Sequence, residues 1–509
     1  MSLTIEKKLE KLRKDFYVRL YKVIPADIIE MGKELDLVRA ANDAKQINEK
    51  IKLLHGKIND TNNIQTNMEL YYHISNLYSS LRKICEESEF DFYYEKEIFY
   101  LRKLLNLFES NFPLIKEGEA DDHTFIANYI AMRSYTNLAN SLRAVGRYIS
   151  AIDGYHDALL LSDDFSMASL NLSSALFDYG LLQYRDYEQQ YFFHSAYYYY
   201  EKTVENKYNL EDESYINFLE EKYINRFTQE FIKDFLQKPL SLPNFEVTDQ
   251  NEFFYRNYIA GQRLFLEPCL DILSSQPCFL VDSLNLPFEP LKDGMTDEYI
   301  GLFNLMKQEY ISARYMWYMT TIETYREFCD SFADKQTDLV ELEQECIIEL
   351  RESLLRCAFR MVYSVFDKVG FFINQYFNIG LPRQRVSFKN IWKDEVLDQN
   401  GKNLIKNPIH LQPNVMLQSI FWLQKDLYEH KNVSTTNPEA IKMFKMRNDM
   451  EHNCLRTVLK IPTQKTLFTT YTTPYTIGDY TERLLRLARE CLIYLVLAVN
   501  IAEKQKSEL

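Results

Sequence analysis

Three side chains with complementary chemistry stand close together in Arg447-Asn448-Asp449-Met450-Glu451-His452. A histidine titrates near neutrality, with a reference pKa of about 6.5, so it gives or takes a proton at working pH. An arginine stays charged, and its planar fork binds phosphate. An asparagine adds a neutral donor and acceptor. Such a set suits RNA cleavage without a metal. The ribose 2′-OH attacks the adjacent phosphate, the histidine moves protons and the arginine holds the developing charge. The same six residues also fit a solvated surface helix with His452 packed at its edge.

A helix must carry these residues if they are to act together. Proline suits the first turn of a helix and stops one just beyond its end. The run between Asn437-Pro438 and Pro462 is therefore predicted helical over 438–460. Asn448 and His452, four residues apart, share a face. Arg447 lies about 140° round from His452 and reaches the same cleft by its length. Further helices are predicted over 300–324, 415–428 and 481–503. The longest covers 339–377, with a break at Gly370, and together they fit a four- to six-helix bundle. Between them Arg383, Arg385, Lys389 and Lys393 alternate with Phe388 and Trp392. Basic residues with aromatics are candidates for binding a sugar-phosphate chain; a solvated loop reads the same way.

Glycine and proline are sparse, at 13 and 14 of 509 residues. Long glycine-free runs of Leu, Tyr, Phe, Lys and Glu predict an all-α protein. The aromatic block from Tyr191 to Tyr200 suits either base stacking or packing between helices. Residues 351–509 carry 23 Lys+Arg against 15 Asp+Glu, a net +8, and residues 1–350 carry 36 against 58, a net −22. A basic C-terminal third suits an anionic partner, or the acidic remainder of the chain. The eight cysteines show no paired or zinc-like spacing, which excludes a cysteine-based zinc site and points to reduced thiols. The N-terminus is not a signal peptide, and the apolar run 491–499 is too short to span a bilayer. No membrane partner and a cytoplasmic location are expected.

The clearest internal repeat lies between 125 and 180. Asn137-Leu138 recurs as Asn171-Leu172, 34 residues on, with Gly146-Arg147-Tyr148, Ala151, Tyr155, Ala158 and Leu159 between. This resembles a tetratricopeptide repeat, with small residues where helices cross and an aromatic filling the gap. Asp163-Asp164-Phe165 stands where a closing proline is usual. The expected organisation is N-terminal helices over 1–63 and a helical-hairpin solenoid over 64–236. A linker and packing segment at 237–295, opened by Pro239-Leu240-Ser241-Leu242-Pro243, leads to the helical bundle over 296–509. The solenoid suits a protein or peptide ligand, or serves only as a scaffold.

Arg447-Asn448-(x3)-His452 resembles the motif of HEPN domains, an all-α ribonuclease family. Four further blocks in order strengthen the likeness: Phe303 to Tyr315, Ala358 to Lys368, Val386 to Lys389 and Phe421 to Tyr428. Together they resemble the HEPN branch with tetratricopeptide-like helices upstream. The resemblance covers about residues 250–505. It implies Arg447 and His452 as the catalytic pair, Asn448 as a supporting polar residue, and a homodimer through the HEPN domain with both motifs lining one cleft. It also implies an endoribonuclease without metal or cofactor, used as a toxin or in anti-phage defence. The expected products are a 2′,3′-cyclic phosphate and a 5′-hydroxyl. The rival expectation is a non-catalytic interaction scaffold that dimerises through the bundle.

Overall fold

Polar residues set where several helices begin. Asn63 accepts from the Thr66 amide at 2.7 Å, Asp121 from Thr124 at 2.7 Å and Asp249 from Glu252 at 2.8 Å. Each satisfies a donor that a helix start leaves open. The computed structural model describes residues 17–60, 62–112, 121–206, 230–238, 247–272, 281–287, 296–322, 334, 346–397, 403–405, 413–428, 435–463 and 466–508. The architecture is all-α, with two short two-stranded ladders. It divides into two compact units.

The first unit comprises residues 1–179, 193–238 and 429–438. Its helices are α1 (Ala26–Ala41), α2 (Ala44–Asp60), α3 (Ile64–Ile84), α4 (Phe90–Asn111), α5 (Asp122–Ala144) and α6 (Tyr148–Leu161), with most of α7 (Ser166–Leu182) and α8 (Asp186–Glu205) and all of α9 (Glu230–Gln237). Helices α3 and α4 pair, as do α5 and α6. Gly154 lets α6 close on α5: a Cβ there would stand 3.2 Å from the Ala139 methyl. Gly146, at φ 85°, ends α5 with the left-handed turn that favours glycine. In the aromatic block, Tyr191, Phe192 and Phe193 are buried, while Tyr198 is exposed. Packing accounts for the start of that block.

The second unit comprises residues 180–192, 239–428 and 439–509. Its main helices are α10 (Gln250–Gly261), α11 (Thr296–Thr321), α12 (Leu350–Tyr376), α13 (Val415–Gln424), α14 (Ala440–His452) and α15 (Pro474–Glu508). Helix α15 is the hub, packing on α11, α12 and α13. Every side chain from Cys491 to Val499 is buried, so the longest apolar run is bundle core. Among the described residues no helix is long and apolar enough to cross a membrane. Two buried ion pairs fasten the preceding segment to this bundle. Arg314 binds Asp282 at 2.7 Å, and Arg489 binds Asp271 at 2.7 Å and the Phe265 carbonyl at 2.6 Å.

Several predicted boundaries need correction. The motif helix ends at His452, eight residues before the expected end, because β3 (Cys454–Thr457) pairs in parallel with β4 (Thr469–Thr472). The last helix starts at Pro474, seven residues early. Helix α13 stops at Gln424, short of the expected 428, where the chain turns. Helix α12 runs through Gly370 unbroken. That glycine serves a close approach: a Cβ on it would meet the Phe388 backbone at 2.8 and 2.9 Å. Of the longest predicted helix, 339–345 lies outside the described residues, and 346–349 are not helical: Cys346 bridges to Val458 and α12 starts at Leu350.

Candidate active site on the motif helix

Helix α14 buries Ala440, Met443, Met446, Asp449 and Met450 and turns its other face outward. The methionine spacing is that of one helical stripe. Arg447 and Asn448 lie half-buried at the margin of that stripe, and Glu451 and His452 are exposed. Asn448 and His452 both fall within the helix, as the four-residue spacing requires. His452 is its last residue rather than a mid-helix one.

The end of the helix is held from α12. Arg360 donates to the Met450 carbonyl and pairs with Glu451 at 3.1 Å. One turn earlier, Arg356 binds Glu352 at 2.7 Å, the Leu455 carbonyl at 3.1 Å and the Thr457 hydroxyl at 2.7 Å. Thr457 in turn donates to Glu352. Residues 352, 356 and 360 are successive turns of one α12 face, so they grip α14 and β3 as a row. Asn453 closes the helix, donating its side-chain amide to Asp449 at 2.9 Å.

Glu451 is taken by Arg360 and one Asp449 oxygen by Asn453. The other Asp449 oxygen is buried without a partner among the described residues. Among the described residues Arg447 and His452 have neither an ion pair nor a hydrogen bond. Arg447 places its guanidinium carbon 5.9 Å from the centre of the Tyr363 ring, at the outer range of a cation–π contact. Tyr363 is buried, and its hydroxyl has no hydrogen-bond partner. Burial pushes that phenol far above its usual range, and the Arg447 charge opposes the shift. Burial does the same to Tyr428; Asp367 and Tyr363 add to it and Arg447 again opposes. The free cation therefore sits beside a pair of buried phenols.

Of the basic residues before β1 (Lys393–Leu397), only Lys389 is placed against the motif helix. Its ammonium stands 5.3 Å from the Phe444 ring and 5.9 Å from Tyr428. Phe444 precedes Arg447 by one turn of α14. Arg383 and Arg385 are exposed on a short 3-10 turn, and Arg383 lies 5.8 Å from the Phe371 ring of α12. Lys393 pairs its backbone with Ile405 of β2 (Asn403–Ile405); its side chain lies outside the described residues. Phe388 and Trp392 are buried, packed among Phe366 and Phe421. The interleaved aromatics are thus core, unavailable for base stacking, while Arg383 and Arg385 are exposed and Lys389 is half-buried. Sequence reasoning passed over Arg356, Arg360 and Tyr363 as site residues. Their i, i+4 spacing was visible; their target was not.

An uncompensated arginine and an exposed histidine on one clamped helix can bind an anion and move a proton beside it. Residues 291–502 match the family model described as LA2681-like HEPN. No curated protein and no solved structure matches the chain.

Proposed function

Since the chain carries a HEPN-family domain, we propose that it is an endoribonuclease cutting RNA by 2′-OH attack. Arg447 binds the scissile phosphate and steadies the charge that builds on it. His452 moves the protons, and Asn448 orients the substrate through its amide. In-line attack leaves a 2′,3′-cyclic phosphate and a 5′-hydroxyl. The observation that carries this reading is that, among the described residues, Arg447 has no ion pair and no hydrogen bond. Its helix carries two carboxylates, and neither forms an ion pair with it: Glu451 pairs with Arg360, and Asp449 accepts from Asn453. A half-buried charge without a counter-ion favours an anionic ligand. Lys389 adds a second cation along the same helix.

The reading includes a homodimer through this domain, with both motif helices facing one cleft. Leu459, Ile461, Leu467 and Phe468 follow the motif helix closely and are all more than half exposed, which supports an apolar contact there. It further includes a cytoplasmic toxin or anti-phage effector regulated by its helical-repeat unit. A chain beginning at residue 180, which keeps the whole second unit with Asp271 and Asp282 on their arginines and loses most of the first, should then be more toxic on expression than the full chain, and equal toxicity overturns that regulation.

The test of the chemistry is incubation of the purified protein with end-labelled RNA in EDTA. Cleavage with cyclic-phosphate ends, abolished by His452→Ala and slowed roughly 10²–10³-fold by Arg447→Ala, is the expected result. RNA or protein binding without cleavage, unchanged by either substitution, overturns it and leaves an interaction scaffold.

A further inference from the structure

The first unit holds a cleft of about 330 Å³ lined almost wholly by polar side chains of α1, α3, α4 and α5. Its volume is at the lower end of small-molecule sites, but its chemistry is not that of an apolar pocket. Two arginines reach it from different helices. Arg39 of α1 donates to the Ser80 hydroxyl at 3.2 Å, and Arg82 of α3 donates to the adjacent Ser79 at 3.2 Å. Neighbouring hydroxyls thus tether two guanidinium groups over one space.

Their counter-charges are unequal. Arg82 is matched by Glu97, which it approaches at 3.3 Å and which also accepts from Ser141 at 2.7 Å. Glu97 is buried and fully engaged. Among the described residues Arg39 pairs only with Asp36, at 3.1 Å, and that carboxylate is 72% exposed. A pairing so exposed is worth little and yields readily to a ligand. The lining side chains therefore carry two positive charges against one negative.

Neutral amides complete the wall. Asn137 of α5 donates to Asn76 of α3 at 3.2 Å, across 61 positions of sequence. Each side-chain amide offers more bonds than that contact uses. Asn140, one turn on from Asn137, accepts from the buried Tyr155 hydroxyl at 2.7 Å, which leaves its amide donors unspent.

We propose that this cleft binds a small organic phosphate of nucleotide size. The Arg39 guanidinium takes the phosphate, and the Asn76, Asn137 and Asn140 amides bond the polar body. A planar fork suits phosphate oxygens, and amides with donor and acceptor in one plane suit base or sugar edges.

The test is calorimetric titration of the full chain with AMP, GMP, CMP and UMP, with adenosine and inorganic phosphate as the partial ligands. At least one monophosphate should bind, at least about tenfold more tightly than either partial ligand. Arg39→Gln should weaken that binding at least about tenfold. Asn140→Asp keeps the acceptor for Tyr155 but sets a negative charge toward the ligand, and should abolish binding with helicity unchanged. His452→Ala should bind as the wild type does, which keeps this site separate from any RNA chemistry. The proposal is overturned if none of the four binds, if phosphate alone binds as tightly, or if both cleft variants titrate like the wild type. It is equally overturned if only peptides with a free C-terminal carboxylate bind in an Arg39-dependent way.

Discussion

The Arg360 guanidinium pairs with Glu451 at 3.1 Å, one residue before His452, and also takes the Met450 carbonyl. An arginine on α12 thereby fixes the last turn of the motif helix. Arg360→Ala should fray that turn and lower RNA cleavage about tenfold or more, since small misplacements of reacting groups are costly. Arg360→Lys keeps the charge but not the fork, and should recover only part. Wild-type cleavage by Arg360→Ala would sink the idea; stopped-flow cleavage of a fluorescent RNA measures it.

Tyr363 keeps a hydroxyl in the core with no hydrogen-bond partner among the described residues. Leaving a buried polar group unsatisfied costs about 1–3 kcal/mol. Tyr363→Phe should therefore be as stable as the wild type or more stable, by up to about 1 kcal/mol, in urea unfolding. Arg447 contacts the ring, which phenylalanine keeps, so cleavage should be unchanged in the same variant; a fall in cleavage would give the hydroxyl a part in placing Arg447.

Gly370 is the point where the loop before β1 crosses α12. Gly370→Ala forces a methyl to within 2.8 Å of the Phe388 amide nitrogen, so backbone must shift. A loss of about 1–3 kcal/mol is expected, as for an overpacked core. Differential scanning calorimetry should show a lower Tm, and an unchanged one would mean the loop gives way freely.

Glu188 supplies a pH dependence. It is buried beside Arg185 and its carboxyl is pushed up to about 7, chiefly by burial, with Arg185 pulling the other way. A carboxyl raised above its unfolded value of 4.5 keeps a proton that the unfolded chain releases. Its contribution is present below the unfolded value and is lost as pH rises toward about 7. Glu188→Gln should flatten the fall in Tm between pH 5 and 7.5. A variant with the wild-type slope would assign that fall to other groups.

Phe468 and Leu467 are 74% and 101% exposed. If the dimer forms over them, Phe468→Asp should give a monomer by light scattering, with the helical signal intact. Cleavage should be lost together with the dimer, because one motif alone makes half a cleft. A dimeric Phe468→Asp protein would place the contact elsewhere.

The helical character and the motif were legible because both are local. Sparse glycine and 3.6-residue periodicity mark the helices, and prolines mark several ends. The end of α14 is hidden because Cys454, Leu455, Val458 and Leu459 keep a helix-like spacing of apolar residues. The two-residue alternation of β3, with Leu455 and Thr457 buried and Cys454 and Arg456 less so, appears only in the folded chain. The grip of Arg356 and Arg360 had no mark in the sequence, since their partners lie about 90 to 100 positions away. The Asn76–Asn137 pair is hidden for the same reason. Phe388 and Trp392 misled differently: aromatics beside cations look alike whether they face a ligand or the core.

A helix whose histidine is its final residue, with the following strand already anchored, leaves no slack for adjusting the motif's spacing. Inserting one residue after Asn448 would swing the imidazole by about 100° and lift it about 1.5 Å. The anchored strand would resist that displacement. A longer gap between arginine and histidine would therefore require moved anchors as well, so the gap and the anchors have to be exchanged as one cassette when a motif is grafted into this chain.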